Sequence, residues 1–148
     1  MSYSASASLQ EAVFGRLSTD TALVALVGDA VFDARPQGEV PLLYVSLGPE
    51  DVRDRSDKSG GGAVHLFTVS VVTGMPGFHQ AKEVAAAVSD ALVDADLALA
   101  RGSLVALTFV RAKARRIGQG AQRRIDMTFR ARVCVSYPVL WYTKRIKH

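Results

Sequence analysis

The side chains best able to do chemistry gather in "RDRSDKSGGGAVHLF", residues 53–67, where carboxylates, cations, serines and three consecutive glycines precede an apolar run. Clustered carboxylates could hold a divalent cation, and a glycine-rich loop with a lysine could cradle phosphate. The spacing fits neither. Asp51, Asp54 and Asp57 recur every third residue, whereas an EF-hand loop supplies its oxygens at alternate positions. A phosphate loop places Gly-Lys-Ser/Thr at a helix start, but here Lys58-Ser59 comes before the glycines and a strand-like run follows. What remains is a flexible, charged connection between two strands, or a contact loop that orders on assembly. Its candidate docking residues are Arg53, Asp54, Asp57, Lys58, Gly60, Gly61 and Gly62.

Other catalytic patterns are also missing from the sequence. His65, His79 and His148 are scattered, and neither Gly-x-Ser-x-Gly nor His-Glu-x-x-His occurs. His65 at a strand start and His79 at a helix start read as surface or capping residues. Cys134 falls on the polar side of its strand with no base in view, which marks a structural thiol rather than a nucleophile. As the single cysteine it also excludes an intrachain disulfide. "GQGAQR", from Gly118, lacks the third glycine of a dinucleotide fingerprint and sits between strands, so it reads as a turn. The expectation is a non-enzymatic protein with no cofactor and no metal.

The elements that would position these residues follow from periodicity. Leu9, Ala12, Val13 and Leu17 are spaced for one helix, and "STDTALVALVG" begins another, with Thr19 or Asp20 as cap and Gly28 as stop. Strands are expected over Pro41–Gly48 and Ala63–Thr73. Phe78, Ala81, Ala85, Val88, Leu92 and Ala95 form the apolar stripe of a main helix over about Phe78–Asp94. Near the end, Ile125, Met127, Phe129, Ala131, Val133 and Val135 alternate with polar residues, as in a strand with one buried face. Val105, Leu107 and Phe109 lie on the preceding strand. A turn centred on Gln119 would set Phe109 opposite Phe129, Leu107 opposite Ala131 and Val105 opposite Val133. The fold class is therefore α+β: an antiparallel sheet of about four strands packed against the main helix and two N-terminal helices. Between Arg111 and Arg124 the first strand loses its apolar face, so this hairpin is expected to project as a basic arm carrying Arg111, Lys113, Arg115, Arg116, Arg123 and Arg124.

The chain has 148 residues and is 49% hydrophobic and 22% charged. That suits one globular domain burying roughly 70% of its unfolded surface. No basic-then-apolar leader opens it, and nowhere do about 18 apolar residues run together, so a soluble, unexported protein is expected. Its net charge of +4 hides a segregation: residues 1–100 carry 6 basic and 13 acidic side chains, giving −7, and residues 101–148 carry 12 basic side chains against Asp126, giving +11. Such polarity is satisfied internally, by copies of the same chain, or by nucleic acid.

One resemblance narrows these options. The progression "SLQEAVFGRLSTDTALVALVGDAVFDARPQGEVPLLYVSLG", "RDRSDKSGGGAVHLFTVSV", "GFHQAKEVAAAVSDALVDADLAL" and "IDMTFRARV" resembles the tail completion, or tail terminator, family of long-tailed bacteriophages and gene transfer agents. The resemblance covers about residues 3–133. Its most specific parts are the Val-Gly, "VFDARPQG", "P-x-x-Y-V" series and the Arg-Asp loop with glycines and a histidine before the next strand. It implies a structural subunit of a virion or virus-like particle, forming a six-fold ring that caps the tail tube and joins it to the head-side stopper or connector. DNA would only pass through. In this light the loop is a docking loop, and the basic arm faces either the channel or a neighbouring subunit. Three other roles stay open: a different neck connector or stopper, a nucleic-acid-binding accessory protein using the basic hairpin, and a small enzyme with a site assembled across subunits. The second is disfavoured because no aromatics are interleaved with the cations from Arg111 to Arg124. The closing "CVSYPVLWYTKRIKH" runs past the resemblance as a C-terminal extension, and Pro138 within it argues against a membrane-surface helix.

Overall fold

The computed structural model describes residues 3–56 and 61–135. Asp57, Lys58, Gly60 and the segment 136–148, with its Trp141, lie outside the described residues. In chain order the elements are α1 (Ser6–Thr19), α2 (Thr21–Val27), β1 (Val31–Phe32), β2 (Leu43–Asp54), β3 (Gly61–Thr73), α3 (His79–Leu92), β4 (Ser103–Ile117) and β5 (Gln122–Val135). The strands make one sheet in the order β1-β2-β3-β5-β4. Among the described residues, no helix is long and apolar enough to cross a membrane.

Local chemistry accounts for the helices. Leu9, Val13 and Leu17 give α1 a buried stripe, and Asp20 ends it and caps α2, its carboxylate accepting from the Leu23 N–H at 3.1 Å. Gly28 then stops α2 at φ 63°, where a side chain would be strained. α3 buries Ala81, Val84, Ala85, Ala87, Val88, Ala91 and Leu92. The main core joins these helices to Phe67, Val69 and Val71 of β3 and to Ile125, Met127, Phe129, Ala131 and Val133 of β5. The helices therefore cover one face of the sheet.

Three expectations change in detail. The sheet is mixed and five-stranded, because the short β1 adds in parallel to β2 at Val45 and Ser46. A two-residue strand leaves no alternation to read. β2 does not stop at Gly48 but continues to Asp54 after a register shift between Leu47 and Glu50, pairing Asp51, Arg53 and Asp54 with Leu66, Val64 and Ala63. Pro49, at this irregularity, is where a strand tolerates a residue without an N–H.

The third change concerns the β4–β5 ladder, where Phe109 does face Phe129 and Leu107 does face Ala131. Val133, however, faces Leu104 rather than Val105. The ladder shifts at Val105 and again at Val110, and those valines turn outward, 56% and 47% exposed. From Arg111 to Ile117 the pairing is centred on an even, four-residue turn. The shift at Val110 restores the Phe109–Phe129 partnership that an odd turn would have given.

Candidate functional site

Residues directly opposite in a ladder share a face, so the registers assign the side of the sheet away from the helices. On β5 that side carries Arg124, Asp126, Thr128, Arg130 and Arg132, and on β4 it carries Arg111, Lys113 and Arg115. β3 contributes Ser70 and Thr68. Pro49, Thr68 and Thr128 with Arg111, Lys113 and Arg115 border an open concavity of about 410 Å³ around Arg124 and Asp126.

At its centre the Asp126 carboxylate accepts from the Ser70 hydroxyl at 2.6 Å, from Arg124 Nε at 2.7 Å and from Arg115 at 3.4 Å. Arg124 also reaches the Ser70 hydroxyl at 3.2 Å. Burial works against ionisation of Asp126, but the Ser70 hydroxyl and the Arg124 and Arg115 guanidiniums outweigh it and hold the carboxyl below its ordinary 3.8. Ser70 is fully buried beneath this cluster.

The expected basic arm is thus partly reassigned. Arg111, Lys113, Arg115 and Arg124 do come together on one face, but Arg116 and Arg123 pair on the helix side. Arg123 donates to the Met75 carbonyl at 3.2 Å and stacks over the Phe78 ring at 5.6 Å. Nor does the segment project as a free hairpin. Arg123 and Arg124 are laddered to Thr73 and Val72 of β3, which leaves little beyond the turn to extend past the sheet. Arg130 and Arg132 extend the stripe and were missed as site residues. Their signal was in the sequence, since they keep the parity of Arg124 and Asp126.

The expected docking loop is also changed in form. Arg53 forms an exposed ion pair with Asp51 at 3.5 Å, and Asp54 accepts from the Ser56 hydroxyl at 2.7 Å. Gly61 and Gly62 are the first residues of β3, and Arg55 N–H donates to the Gly62 carbonyl at 2.8 Å. A Cβ at Gly62 would stand 2.9 Å from the Arg55 carbonyl oxygen, so this glycine allows close strand approach rather than flexibility.

His65 is not a surface residue, as its side chain is fully buried with Nδ1 3.1 Å from a Glu50 oxygen. The other Glu50 oxygen accepts from the Ser6 hydroxyl at 2.7 Å. Burial opposes the Glu50 charge, and the bonds from Ser6, His65 and Tyr3 outweigh it, lowering the carboxyl below its ordinary 4.5. The group, with His65 fully buried and Glu50 partly so, bridges the N-terminal helix to β2 and β3. His79, by contrast, is exposed and stands 3.4 Å from Glu83 one helical turn on. Among the described residues, no three His, Cys, Asp or Glu side chains are grouped to hold a metal ion.

Similarity to known proteins supplies what this geometry cannot. The family model for tail completion protein gp17 matches residues 11–134. The chain belongs to that family. A solved chain from the "Virion of native gene transfer agent (GTA) particle" is 59% identical to it, with a TM-score of 0.85 over 90% of this chain and 99% of that one. No curated protein matches the chain. This tail completion family member therefore has the α+β fold of a virion component and a structural role in a virion tail.

Proposed function

We propose that this tail completion protein is the subunit of a closed, six-fold ring that caps the tail tube and joins it to the head-side stopper or connector, while DNA crosses the ring in transit. The role is mechanical rather than catalytic. The observation that carries it is the family match over residues 11–134, together with 59% identity to a chain of a gene transfer agent virion. In this reading the β2–β3 hairpin end, with Arg53, Asp54, Gly61 and Gly62 and the adjoining Asp57, Lys58 and Gly60, docks against an axial partner.

Deleting the gene in its host and imaging the particles tests the role. Unjoined heads with free or overlong tails are expected, with joining restored by the gene in trans. Normal heads on tails of normal length without the protein would overturn it. Averaged images of the neck along the tail axis then read the symmetry, and six repeats are expected.

A further inference from the structure

Opposite sides of this subunit carry opposite charge. On the side away from the helices, β4 and β5 carry Arg111, Lys113, Arg115, Arg124, Arg130 and Arg132 against Asp126, a sum of +5. Arg111, Lys113, Arg130 and Arg132 have no ion-pair partner among the described residues, while Asp126 is already engaged by Arg124 and Arg115. On the helical side, Glu83 and Asp90 are both exposed and seven residues apart, two turns along the same outer stripe of α3. Asp94 and Asp96 follow, both exposed. Lys82, the one cation of α3, lies over the Phe78 ring at 5.9 Å.

From this layout we propose that the basic sheet face, centred on Arg111 and Lys113, is the seat of a second copy of this chain, whose acidic α3 stripe it receives. The inference deepens the ring reading and rests on it. Like charge repels face to face and back to back, so only front-to-back stacking brings opposite charges together. A front-to-back contact between two different surfaces is heterologous, and it closes into a ring when its rotation divides the circle. A single-stranded nucleic acid is a poorer occupant, because neither β4 nor β5 presents an aromatic side chain on this face for bases to stack on.

The test uses two full-length variants: Arg111→Glu with Lys113→Glu, and Glu83→Lys with Asp90→Lys. Sedimentation and native mass spectrometry in low salt should show wild-type rings that weaken as salt rises. Each variant alone should need at least tenfold more protein to assemble. Mixed in equal amounts, the two should regain rings, because each then meets only opposite charge at both contacts, and those rings should alternate strictly and hold an even number of subunits. Should a reversal unfold the chain, Arg111→Gln with Lys113→Gln probes the same face, with a tenfold weakening expected. Wild-type rings with undiminished assembly of either variant would overturn the assignment of this face and leave the ring standing. Failure of wild type to form rings both in solution and in particle necks would sink the ring itself. A basic-face variant that assembles normally but loses affinity for a labelled 30-base-pair duplex would give the face to DNA and overturn the proposal.

Discussion

Replacing Phe129 by alanine removes the ring on which the two halves of the sheet meet. Its side chain is fully buried. It stacks on Phe67 of β3, with centroids 5.7 Å apart and planes at 23°, and meets Phe109 of β4 edge-on at 5.9 Å. Phe-to-Ala truncation at such a site costs about 3–5 kcal/mol, because transfer and cavity terms add. In a domain of this size that lowers Tm by on the order of 10 °C. Phe109 provides the internal control. It is 45% exposed on the edge strand, so Phe109→Ala should cost only about 1–2 kcal/mol. Urea unfolding followed by fluorescence, at protein concentrations below assembly, would give both values with the slope checked for constancy. A loss from Phe109→Ala equal to that from Phe129→Ala would refute the reasoning, because it would mean that β4 is covered in the isolated subunit.

Three further outcomes are expected. Glu50 and Asp126 are both held below their ordinary values of 4.5 and 3.8, so they stabilise the fold above those values and lose that contribution as pH falls through the lowered ones. Acid unfolding below about pH 3.8 should therefore flatten in Asp126→Asn, and an unchanged acid limb would count against the cluster. Arg116→Ser, on an exposed edge and with no side-chain hydrogen bond or ion pair among the described residues, should lie within about 0.5 kcal/mol of wild type by chemical denaturation, whereas Arg124→Ser, which strips two hydrogen bonds from Asp126 and Ser70, should cost about 1–3 kcal/mol. Gly62→Ala should destabilise measurably, since its Cβ would press on the Arg55 carbonyl, while calcium, magnesium-ATP and EDTA should leave Tm unchanged, and a rise with any of them would revive a ligand-binding loop.

Elements whose burial is one-sided over many residues were legible in the sequence. The stripe of α3 and the alternation of β5 each repeat a period several times, which fixes a face whatever the neighbours do. The limits of β2 were not legible, because Gly48-Pro49 carries the usual chemistry of a strand end. The structure instead absorbs it as a ladder irregularity and continues for five more residues, through charged positions that a partner strand keeps extended. His65 was misplaced for a related reason. A histidine at a strand start looks solvated until Glu50, fifteen residues earlier, is brought across the ladder beside it, and no local pattern announces that pairing.

The basic segment shows how a correct composition can carry a wrong shape. Counting cations from Arg111 to Arg124 identified the charge, but taking it as a projecting arm assumed that a strand without an apolar face must leave the core. β5 keeps its apolar face right through that stretch, with Ile125 and Met127 buried, and so holds β4 flat against the sheet through the backbone ladder, with the Arg115–Asp126 contact beside it. The cations then line a surface instead of a tip. That difference bears on mechanism, since a tip can enter a channel whereas a broad face backed by an acidic helical layer is suited to stacking subunit on subunit. Arg130 and Arg132, which lie far from the turn but on the same face, belong to the second arrangement and would be superfluous in the first.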